Sequence, residues 1–92
     1  MEFDALPGGD LVRQGLADLR RGEETIYSLL VSIGAPRLRE LGIELSTKPA
    51  FTRPEHRLYA KLAESDSDSA HSRYNALIRR LVSFERALAC VK

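Results

Sequence analysis

The chain is poor in the features that mark secreted, membrane-spanning or strongly charged proteins. Cys90 is its single cysteine, so no intrachain disulfide can form and the stapled extracellular class is excluded. The longest uncharged run, Thr25 to Pro36, has twelve residues, whereas a membrane-spanning helix needs about 20. Charge of either sign is nearly balanced, with 14 basic against 13 acidic side chains, which removes bulk charge as an argument for nucleic-acid binding. The start, Met1-Glu2-Phe3-Asp4, is acidic where a secretory or mitochondrial presequence would be basic. A cytoplasmic protein without membrane contact is the expectation. Ninety-two residues bury about 60 to 70% of their unfolded surface, enough for one small core and too little for two.

Catalytic signatures are equally scarce. His56 and His71 are the only histidines, and neither has a histidine or cysteine at metal-ligand spacing. The run Asp66-Ser67-Asp68-Ser69 resembles the opening of a calcium loop but lacks the following glycine and the distal glutamate. Gly8-Gly9 before a helix start offers free amides to an anion, yet Asp10 puts a carboxylate in the anion's place. No catalytic residue, cofactor or metal is assigned, and the chain is expected not to be an enzyme.

What is present is helical periodicity. Residues 1–9 carry Pro7-Gly8-Gly9 and little pattern, and read as an N-terminal arm to a single helical domain over 10–92. Asp10 suits an N-cap, followed by Leu11, Val12, Gly15, Leu16 and Leu19 at helical spacing, with Arg20-Arg21-Gly22 as the stop. Glu23 and Glu24 suit the start of a second helix whose apolar positions are Ile26, Leu29, Leu30 and Ile33, widened by Tyr27 and Val31. Gly34-Ala35-Pro36 breaks that run and opens a short third helix that Gly42 ends. Fewer than two turns cannot serve as the recognition helix of a helix-turn-helix, so this is a corner that folds Leu38 and Leu41 onto the core. After a connecting loop from Gly42 to Phe51, Thr52-Arg53-Pro54-Glu55 forms a capping-box pattern. The fourth helix then carries the stripe Leu58, Tyr59, Leu62 and Ala63.

The last segment has the strongest pattern. Ala70, Tyr74, Leu77, Leu81, Phe84, Leu88 and Val91 recur at alternating intervals of four and three, unbroken by glycine or proline. A helix from Ser69 to near the C-terminus would be about 30 Å long. The expected fold is all-α, a compact bundle of four principal helices and one short connecting helix, with a long C-terminal helix.

Two functional readings follow. In the first, the chain is a non-catalytic protein-interaction or regulatory module whose candidate face is Tyr74, Leu77, Leu81, Phe84, Leu88 and Val91, with a protein partner or a second copy as a homodimer. Arg80 and Glu85 then stand at the g and e positions of a parallel seam. Ile78, Val82 and Ala89 widen the stripe toward that of a core helix, so Leu81 is expected to be buried against Leu29, Leu30 or Ile33. The alternative is nucleic-acid contact through cation rows: Arg53, Arg57 and Lys61 on the fourth helix, and Arg73, Arg79, Arg80 and Arg86 on the fifth.

Overall fold

The computed structural model describes residues 5–45 and 53–91. Among them the fold is all-α: α1 (Gly9–Arg20), α2 (Ile26–Ile33), α3 (Ala35–Glu40), α4 (Pro54–Ser65) and α5 (Ala70–Val91). A Cα radius of gyration of 12.7 Å is close to the about 12 Å of a compact chain this long. No helix among the described residues is long and apolar enough to cross a membrane.

The first helix opens earlier than its sequence pattern suggests. Asp10 is not the N-cap; Gly8, with φ 74°, takes that place and no side chain caps the helix. A turn closed by the Gly9 amide on the Leu6 carbonyl at 3.0 Å brings the chain against α5, where a Cβ on Gly8 would stand 2.5 Å from the Arg80 carbonyl oxygen. Only glycine combines a left-handed backbone with so close an approach. Leu11, Val12, Gly15, Leu16 and Leu19 are all buried, as their spacing requires.

At its other end α1 closes in a Schellman arrangement. The Glu23 amide donates to the Asp18 carbonyl at 2.9 Å and the Gly22 amide to the Leu19 carbonyl at 3.0 Å, which satisfies carbonyls the helix leaves open. A side-chain lock then starts α2. The Ser28 amide donates to Thr25 Oγ1 at 3.1 Å and the Thr25 amide to Ser28 Oγ at 2.8 Å, a reciprocal cap. The Thr25 hydroxyl donates in turn to Asp18 Oδ2 at 2.7 Å. This cap, rather than Glu23 and Glu24, fixes the start of α2.

Because Ser28 must face inward to cap, the buried face of α2 is Ser28, Leu29, Leu30 and Val31. Ile26 and Ile33, expected in the core stripe, are only partly buried against it. Helix α2 is the hub, in contact with α1, α3, α4 and α5. Gly34 turns the chain into α3, which ends as α1 does: the Ile43 amide donates to the Leu38 carbonyl and the Gly42 amide to the Arg39 carbonyl, both at 3.0 Å. Leu38, Leu41 and Ile43 are buried, so the corner folds onto the core as its pattern implies.

Thr52 of the expected capping box lies outside the described residues, as does most of the Gly42–Phe51 loop. Arg53, at φ 48°, precedes α4. Leu58 and Leu62 are fully buried, whereas Tyr59, placed by its pattern in the same stripe, is 40% exposed. It follows Leu58 by one residue, a turn of about 100° around the helix axis. In α5, Ala70, Leu81, Phe84 and Leu88 are buried. Leu81 is 3% exposed, and its methyls would stand 3.0 and 3.1 Å from a Cβ on Gly34.

Candidate functional site

Helices α4 and α5 together present an aromatic ledge. On α4, Glu55 and Tyr59 lie four residues apart, as do His56 and Ala60, so each pair shares one side of the helix. Tyr74 reaches them from α5. Its ring centroid lies 5.8 Å from that of Tyr59, with the planes inclined by 54°, a tilted aromatic contact of favourable geometry. Glu55, His56, Tyr59, Ala60 and Tyr74 line an open depression of about 570 Å³. Burial, and secondarily the negative charge of Glu55, raise the pKa of the Tyr74 phenol; both disfavour the phenolate. One turn further along α5, Leu77 and Ile78 are half-buried against the core and continue the apolar surface from Tyr74.

A second depression, of about 520 Å³, runs between α1 and α2 and includes Asp10, Gln14, Asp18, Thr25 and Tyr27 in its lining. The carboxylate at its floor is already occupied. Asp18 accepts from Gln14 Nε2 at 3.0 Å, from the Arg21 guanidinium at 2.5 Å and from Thr25. That cluster holds the α1–α2 connection together, and among the described residues no buried side-chain polar atom lacks a hydrogen-bond partner.

The residues singled out from the sequence fall in different places. Of the C-terminal stripe, Leu81, Phe84 and Leu88 are buried, Tyr74 and Leu77 are half-buried, and Val91 is 58% exposed. Of the two positions suited to an interchain ion pair, Arg80 meets Asp10 within the chain at 3.3 Å, and the Glu85 carboxylate lies beside Gly34, where an oxygen would stand 3.1 Å from an added Cβ. Among the cations, Arg53, Arg57, Arg73, Arg79, Arg80 and Arg86 are exposed and Lys61 is half-buried. Arg57 is joined to Glu24 at 2.7 Å. Since Asp10 lies in the first turn of α1 and Glu24 follows its end, the carboxylates that hold Arg80 and Arg57 flank opposite ends of a helix about 18 Å long.

His56 stands on the ledge, while His71 pairs with the Asn75 amide at 3.1 Å. In the Ser/Asp run, the Asp68 amide donates to Asp66 Oδ1 at 3.1 Å, a local turn. Among the described residues no three metal-ligating side chains come together. The Tyr59–Tyr74 pairing is not legible in the sequence, because both tyrosines read as stripe residues of separate helices. The spacing of Glu55 and Tyr59 was the available signal. No family model, curated protein or solved structure matches the chain.

Proposed function

We propose that this chain is a small, non-catalytic protein-interaction module that docks a partner protein on the face shared by α4 and α5. The observation that carries the reading is the exposed Tyr59 ring set against Tyr74, on a surface that Leu77 and Ile78 extend. Tyrosine supplies a large, rigid contact area with a polar tip, the profile of residues that dominate binding energy at interfaces. The cation rows support a phosphate-binding alternative less well, because Arg57 and Arg80 already face carboxylates of the same chain.

Site-specific photo-crosslinking in the producing cell tests the reading. A crosslinker at Ala60, on the ledge, is expected to give discrete protein adducts that disappear when Leu77 is replaced by Glu, while one at exposed Ser83 gives none. An adduct of twice the chain mass would identify the partner as a second copy. Equal labelling from both positions, or none from Ala60, overturns the proposal.

A further inference from the structure

We infer that the ledge receives an arginine side chain of the partner protein, its guanidinium laid on the exposed face of Tyr59 and its N–H groups turned toward the Glu55 carboxylate. The inference rests on the proposed docking role of the α4–α5 face and names the chemistry that face selects.

Ring separation decides the kind of group that fits. A cation held between two aromatic faces needs about 7 Å between them, two van der Waals contacts of about 3.5 Å each. The Tyr59 and Tyr74 centroids are 5.8 Å apart and the planes are inclined, so the rings fill the space between themselves and no cage for a rounded ammonium exists there. What remains is the part of Tyr59 left to solvent, the residue being 40% exposed and lining an open depression. A flat cation can stack on such a face, and the guanidinium is the flat cation among side chains.

Charge points the same way. Glu55 stands one helical turn before Tyr59, within reach of a group stacked on that ring. Among the described residues no ion pair engages Glu55. Its field extends over the ledge, since it helps hold the Tyr74 phenol protonated. A carboxylate beside a π face attracts a cation and repels an acidic segment, and its two oxygens match the N–H fork of arginine. Ala60, also exposed in this lining, adds little bulk to block the approach.

NMR titration of the full chain with a short glycine/serine peptide bearing one central arginine provides the test, with citrulline and lysine peptides of the same sequence as controls. The Tyr59 and Tyr74 ring resonances are expected to shift and saturate with the arginine peptide, while Tyr27, in the α1–α2 depression, stays unmoved. Citrulline, which keeps the shape and loses the charge, should bind about tenfold more weakly, as an exposed cation–π contact and an exposed ion pair are both lost. Glu55→Gln, at an exposed position, should weaken the arginine peptide by about threefold, the share of the ion pair alone. Equal affinity for citrulline, a preference for lysine, or shifts that spread to Tyr27 overturn the inference. So does chain dimerisation that Glu55→Gln abolishes, which would give the ledge to a second copy. If crosslinking from Ala60 succeeds while the arginine peptide leaves the rings unmoved, the docking role stands and the arginine assignment falls.

Discussion

Asp18 buries a carboxylate at the end of α1, 3% exposed, and converts that burial into order by accepting hydrogen bonds from Gln14, Arg21 and Thr25. Replacing it with alanine removes the acceptor that orients the α2 cap. The expected loss is about 1–3 kcal/mol, read as a lower urea midpoint. Asp10→Ala, which breaks only the exposed pair with Arg80, should cost less than about 1 kcal/mol. Glu85 supplies the pH-dependent counterpart. Burial raises its pKa and the charge of Arg37 offsets part of that rise, so the folded state holds this proton more tightly than the unfolded chain does. Its destabilising effect is therefore complete above the folded pKa and vanishes below the unfolded one. Glu85→Gln should raise the thermal midpoint at pH 7, and the gain should shrink as pH falls through the carboxylate range. Asp18 did not stand out in the sequence, and Glu85 did so only as the e position of a possible interchain seam. An isolated Asp at a core-spaced position shows its role only when the partners it accepts from are in place, and the Thr25-Ser28 pair three apart was the local clue to them.

At the scale of elements, the α1–α2 hairpin depends on one close crossing. A Cβ on Gly15 would collide with the Tyr27 carbonyl and a Val31 methyl, and backbone in the middle of a helix has little freedom to retreat. Gly15→Ala gains about 1 kcal/mol of helix propensity but must separate the two helices. Overpacking of this kind costs about 1–3 kcal/mol, so the expected outcome is a net loss of stability in chemical denaturation. Gly22→Ala separates space from backbone, because nothing lies within 4 Å of its Cβ position although φ is 71°. That substitution should cost about 1–2 kcal/mol through left-handed strain alone. Element type and order were legible from apolar spacing, from glycines placed after the first three helical runs and from the Ser/Asp run after the fourth. Cap identity was less so: Asp10 carries the right chemistry for an N-cap, yet the Leu6–Gly9 turn and the contact with α5 start the helix at Gly9. Those are tertiary facts that local pattern does not contain.

Across the whole molecule, α5 has two halves with different duties. Its 22 residues extend about 33 Å, most of the 38 Å long axis, while α1 and α4 have 12 residues each and α2 has 8. Leu81 is buried beside Gly34 at the end of α2 and Phe84 beside Gly8 at the start of α1, and Leu88 is buried with them, whereas Tyr74, Leu77 and Ile78 are only half-buried. A uniform stripe in sequence thus became a core over one stretch and a surface over another, because burial depends on how far the neighbouring helices reach. This division gives a paired prediction. Leu81→Ala, at 3% exposure, should lose about 2–5 kcal/mol by leaving a cavity. Leu77→Ala should lose about 1 kcal/mol, since part of that side chain already faces solvent. Partner docking should show the reverse order. Crosslinking from Ala60 should survive Leu81→Ala below its lowered melting temperature and weaken with Leu77→Ala in a chain that remains folded. Equal stability losses from the two truncations would mean that the N-terminal half of α5 belongs to the core as fully as the C-terminal half, and the docking face would have to be sought elsewhere on the molecule.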